Sequence, residues 1–194
     1  MNLSFNDESY MLHAAASHVD LVRRDIRVPG ARRAIPTLEA VSELQGRLAA
    51  LIQDRSDDVL YLIETHPDGA DRRVAIEAHA AAGADTARAA QHYTAAVAEF
   101  GFLHRHEETP DTPELQDARE AAFRGIQEHL ESAREELATA KQTLQRAAER
   151  IENPKPRSAA ATSCSPGATH VKPQAELPTA AAPALRSPAS RHAR

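Results

Sequence analysis

The chain has 194 residues, 26 % of them charged, and a formal net charge of −5. Leu, Ile, Val and Phe together number 35, Phe and Tyr number seven, and Trp is absent. That suits narrow helix-on-helix seams, is thin for a broad globular core, and favours burial of apolar stripes against a partner or a second copy.

The first helix is expected to start near Asn6 or Asp7, either of which caps with its side chain. Met11, Ala15, His18 or Val19, Val22 and Ile26 then recur at three-to-four spacing on one face. Val28-Pro29-Gly30 ends it, because proline restricts the residue before it and glycine favours a turn. Around this turn Arg23, Arg24, Arg27, Arg32 and Arg33 form the one local cluster able to grip phosphate. It lacks aromatic stacking residues, and Asp20 and Asp25 dilute it, so base-specific reading is unsupported. The bland alternative pairs these arginines with acidic helix faces.

Thr37 is the expected cap of a second helix, whose stripe runs through Val41, Leu44, Leu48, Leu51, Ile52, Val59 and Leu62 towards His66. Ser56-Asp57-Asp58 is a point of interruption. A rival reading makes Val59 to Glu64 a strand of a hairpin turning at Pro67-Asp68-Gly69, but a Leu-rich segment without strict alternation favours continued helix. After that turn, the alanine-dense stretch from Ala70 to His104 carries Val74, Ala78, Ala81, Ala89, Tyr93, Val97, Phe100 and Leu103 on or near one face, weakened at Gly83.

His104-Arg105-His106-Glu107-Glu108 gathers metal-ligand residue types at the end of this helix. Residues two apart on a helix diverge, however, so a solvated polar helix end is favoured and no metal is expected. Thr112 caps the last helix, with Pro113 at its first position, where the missing N–H is harmless. There Phe123, Leu130, Leu137, Leu144 and Ile151 repeat every seven residues, and Ile126, Ala133, Ala140 and Ala147 form a second series. Together they make one seam whose alanines permit a close helix neighbour. Periodicity does not say whether that neighbour is an earlier helix or a second chain.

From Asn153 the composition changes: seven prolines in 42 residues, six Lys or Arg against one Glu, and no apolar period. This divides the chain into an alanine-rich helical domain, 1–152, and a basic Pro/Ala/Ser-rich tail, 153–194, expected to be disordered. The division leaves −10 on residues 1–152, which speaks against wholesale nucleic-acid binding. The single Cys164 lies in the tail and has no internal disulfide partner. The longest strongly apolar run, Val59 to Ile63, is far too short to cross a bilayer, so no membrane contact and a cytoplasmic setting are expected.

No phosphate loop, nucleophile elbow or ordered cysteine offers a catalytic constellation, and no cofactor is indicated. The expected fold is all-α, an elongated antiparallel array of three to four long helices with a coiled-coil-like last helix. The expected role is non-catalytic protein–protein interaction or assembly, with a protein partner or the chain itself as a homo-oligomer. In that reading an exposed seam recruits the partner. The alternative is a nucleic-acid-associated accessory protein using the arginine cluster and the basic tail.

Overall fold

The computed structural model describes residues 7–30, 36–65 and 69–154. They form four α-helices and, among the described residues, no strand: α1 Asp7–Asp25, α2 Leu38–Thr65, α3 Ala70–Arg105 and α4 Pro113–Glu152. The expected cap at Asn6 and the tail beyond Pro154 lie outside the described residues. At 1.5 Å per residue α4 is about 60 Å long and α1 about half that.

Local chemistry sets the helix starts. The Ala40 amide donates to Thr37 Oγ1 at 3.3 Å, and the Leu115 amide donates to Thr112 Oγ1 at 3.2 Å ahead of Pro113. Each threonine thereby satisfies a backbone donor that has no partner within the helix. Ser56-Asp57-Asp58 does not interrupt α2, because each residue is tied back within it. Ser56 Oγ donates to the Ile52 carbonyl at 3.1 Å, Gln53 donates to Asp57 at 2.8 Å, and Arg55 pairs with Asp58 at 3.1 Å. Val59 to Glu64 is helix, as its lack of alternation indicates.

The helices run up, down, up, down. Along α3 and α4, Arg88 meets Glu136 and His92 meets His129. Along α1 and α4, Ser9 and His13 meet Glu152, while Asp20 meets Lys141. Along α2 and α3, Val41 meets Tyr93 and Asp58 meets His79. The α3–α4 contact is the most extensive. The bundle is squeezed along one diagonal, where α1 approaches α3, while α2 and α4 make no close backbone approach. Small residues explain the squeeze: Ala15 and Ala16 of α1 and Ala75, Ala78 and Ala82 of α3 are all buried.

The core positions refine the expected stripes. In α1 Leu12 is fully buried and Met11 only partly so, while Ala15, Val19 and Val22, and Ile26 just past the helix end, hold their expected places. In α2 Val41, Leu48, Leu51 and Leu62 are buried, but Ile52 and Val59 of the expected stripe are only half-buried. In α4 Ala122 is buried and Phe123 half-buried, so the smaller side chain stands against the neighbouring helix at that end.

Candidate interaction surface

The α4 seam is covered within the chain. Ile126, Leu130, Ala133, Leu137, Ala140, Leu144, Ala147 and Ile151 are all buried, beneath α3 on one side and α1 on the other. The neighbour permitted by its alanines is therefore two earlier helices. An exposed α4 seam that recruits a partner does not exist in this fold, and of the expected residues only Phe123 is partly exposed.

The arginine cluster is partly neutralised at its base. Asp20 is buried, and its carboxylate takes Arg23 at 2.8 Å, Arg24 at 2.6 Å and, from α4, Lys141 at 3.2 Å. The Arg23 hydrogen bond, against the opposing cost of burial and helped by Lys141, holds the Asp20 carboxyl below its ordinary value. The charge partner of Arg23 and Arg24 thus sits on their own helix. Arg27 is exposed, and Arg32 and Arg33 lie outside the described residues.

The histidine-rich end of α3 is split by its own geometry. His104 Nε2 lies 3.2 Å from the Pro36 carbonyl, while the His106 ring packs on Phe102 with centroids 4.7 Å apart. Among the described residues no three His, Cys, Asp or Glu side chains are grouped to hold a metal. A cavity of about 300 Å³ near the start of α2 is lined by Asp25, Arg27, Val41, Leu44, Tyr93 and Phe100. The Tyr93 hydroxyl donates to the Val41 carbonyl at 3.2 Å, and burial pushes the phenol up to about 12. It stays neutral and acts as a tie between α2 and α3.

Between α2 and α3 lies a buried polar group. His79 of α3 is fully buried and Arg55 of α2 is 5 % exposed. The arginine stem packs beside Gly83, where an added Cβ would stand 3.4 Å from Arg55 Cβ, in ordinary contact. Arg55 Nη2 reaches Asp58 at 3.1 Å, and His79 Nδ1 stands 3.2 Å from the same carboxylate, at ion-pair distance but outside hydrogen-bond geometry. Among the described residues, Arg55 Nε and Nη1 and both His79 ring nitrogens find no hydrogen-bond partner. Burial raises the Asp58 carboxyl, yet the His79 contact and the Arg55 charge outweigh it and hold the group below its ordinary value.

One lateral stripe of α2, beside the exposed acids Glu39, Glu43, Asp57 and Glu64, is uncharged along its length. Leu38, Gln45, Ile52 and Val59 recur every seven residues, with Ser42, Ala49, Ser56 and Ile63 as the interleaved series. All are exposed except Ile52 and Val59. Four of the six exposed large apolar side chains among the described residues belong to α2: Leu38 and Ile63 within the stripe, Leu60 on its solvent flank, and Tyr61 further round the helix. Ser56 spends its hydroxyl proton on its own helix backbone, so only its oxygen lone pairs remain to be satisfied. Adjoining the stripe, α3 turns outward Ala80, Ala84, Gln91, Thr94 and Ala98, with Ala87 half-buried, and these too carry no charge.

Apolar periodicity alone merges this stripe with the core stripe of Val41, Leu44, Leu48, Leu51 and Leu62 into one broad face. The signal that separates them is the charge-free heptad from Leu38 to Ile63, in which Gln45 and the serines stand where a core would carry aliphatic side chains. Comparison with known proteins adds no assignment: no family model, curated protein or solved structure matches the chain.

Proposed function

We propose that this chain is a non-catalytic helical assembly protein that docks through the outer face of α2. The observation that carries the proposal is the uncharged heptad of Leu38, Gln45, Ile52 and Val59 with its partner series, exposed at every position but the half-buried Ile52 and Val59. Coiled-coil-like packing suits such a stripe and tolerates an occasional polar residue within it. In a chain that is 26 % charged, an outward helix face with no neighbour to satisfy gains nothing from eight successive uncharged seam positions. The cytoplasmic setting expected from composition belongs to the same proposal. The nucleic-acid alternative is weakened by Asp20, which neutralises part of the cluster through Arg23 and Arg24.

The test places charge on the face and leaves α4 alone. Ala49→Glu combined with Ile63→Glu should keep the helical circular dichroism yet abolish association. Association is read both as mass by light scattering and as retention of partner polypeptides on the immobilised chain. Association that survives in the double variant, or a wild-type chain that neither self-associates nor retains any polypeptide, overturns the proposal.

A further inference from the structure

Resting on that reading, we infer that the occupant of the α2 face is a second copy of the same chain, docked antiparallel along α2 about a two-fold axis between Ala49 and Ile52. The size pattern of the stripe carries this. Read along the helix, larger side chains at Leu38, Gln45, Ile52 and Val59 alternate with small ones at Ser42, Ala49 and Ser56, and Ile63 closes the far end. Reversing the stripe onto itself sets Gln45 against Ser56, Ile52 against Ala49 and Val59 against Ser42 of the other copy. Each of these pairs also occurs a second time by symmetry, as an isologous interface requires. At the two ends Leu38 meets Ile63. Every larger side chain in the middle thus enters a space left by a small one, which is the condition for knobs to fill holes.

Polarity agrees with the same register. Gln45 has amide protons to donate, and the Ser56 oxygen that faces it across the axis is free to accept, because its own proton already bonds the Ile52 carbonyl. A parallel pair instead stacks Ser42 on Ser42 and Ser56 on Ser56 while crowding Gln45 on Gln45 and Ile52 on Ile52, so voids alternate with bulges.

Along the stripe itself charge does not oppose the contact. Two acidic bodies repel unless the surfaces that meet are neutral, and the stripe is neutral throughout. On its solvent flank Glu39, Gly46, Gln53 and Leu60 recur at seven-residue spacing. The antiparallel pair sets this flank against its own copy, bringing Glu39 near Leu60 and Gly46 near Gln53, with the exposed acids Glu43, Asp57 and Glu64 further round the same side. On the other flank α3 of one copy approaches α3 of the other. Gly83 stands opposite Arg55 and Tyr93 opposite Val41, so Ala84 and Ala87 lie near the level of the axis and leave the approach open.

Single cysteines test the register, in a Cys164→Ser background so that the native thiol takes no part. At 1.5 Å per residue, Gln45 and its symmetry mate stand about 16 Å apart along the antiparallel pair, and so do the two Ser56 positions. Disulfides form only below a Cα separation of about 7 Å. Gln45→Cys alone and Ser56→Cys alone should therefore stay uncrosslinked on oxidation, while an equimolar mixture gives a covalent dimer containing one chain of each. Light scattering of the unmodified chain should give twice the chain mass, and Ala49→Glu should raise the dissociation constant roughly tenfold or more.

Crosslinking of either single variant with itself would mean a parallel pair and overturn the inference. So would a mixture that yields no mixed dimer, or a folded chain that remains monomeric. The parent reading falls separately, because a monomeric chain that still retains a different polypeptide, and loses it in the Ala49→Glu/Ile63→Glu variant, keeps the α2 face as a docking site while excluding the second copy.

Discussion

Two carboxylates show how differently this bundle treats charge at the residue scale. Asp20 has its pKa lowered, chiefly by Arg23. Its contribution to stability is therefore complete above the unfolded value of about 3.9 and is lost as pH falls through the lower folded value. Asp20→Asn should lower the urea midpoint at pH 7 and cost less at pH 3, below the unfolded value, where the unfolded chain already binds the proton. Equal losses at both pH values would show that the Asp20 charge is not what matters. Asp85 behaves oppositely: burial raises its carboxyl even though Arg88 lies against it, so the buried charge weakens the fold at neutral pH.

The Arg55, Asp58 and His79 group makes a sharper prediction. Removing Asp58 leaves a buried guanidinium without its counterion, and Asp58→Ala should destabilise by about 3–5 kcal/mol. Arg55→Met combined with Asp58→Leu replaces the pair by apolar side chains without unpaired donors and should be neutral or stabilising by about 1–4 kcal/mol. Chemical denaturation of both variants decides this, and a larger loss in the double variant than in Asp58→Ala would refute the account.

At the scale of the element, the same heptad spacing has two outcomes in one chain. The α4 stripe is fully covered, so Leu137→Ala should cost about 2–5 kcal/mol. The α2 stripe is open at Ala49, so Ala49→Gln should change the stability of the monomer by no more than about 0.5 kcal/mol. Thermal unfolding at low protein concentration separates the two, and a large loss for Ala49→Gln would mean that the face is covered within the chain. This contrast also marks what sequence made legible. The Thr37 and Thr112 caps, the breaks between helices and the burial of the α4 seam from Ile126 to Ile151 follow from local chemistry and spacing, while at the near end Ala122 takes the buried place expected of Phe123. Which seam faces outward does not follow, because periodicity identifies a face and only tertiary packing decides what lies on it. The burial of Arg55 and His79 was illegible for the same reason: both sit at helical spacing beside apolar residues, and neither residue type announces a core position.

Across the whole molecule α2 is the least secured of the long helices. It packs along α3 but approaches α1 over a much smaller area, and the ion pairs that join it to α1 among the described residues, Arg47–Asp25 and His18–Asp54, are partly exposed and contribute little. Native-state hydrogen exchange on the monomer should therefore find α2 opening at lower free energy than α3 and α4, and protection should rise with concentration if α2 pairs with another chain. Exchange that is slowest in α2 at low concentration would contradict the packing order.

The contact of Ser9 and His13 with Glu152 joins side chains 143 and 139 residues apart. Helices α3 and α4 form a hairpin of local contacts that can assemble quickly, its short link clasped by Arg119, which donates to the His106 and Thr109 carbonyls. By contrast α1, which leaves the ribosome before the other three, finds its main partner only in the last of them. Its Leu12, Val19 and Val22 face therefore has to wait for α4, and truncation within the final turns of α4 would leave the Leu12 end of that face without its seat.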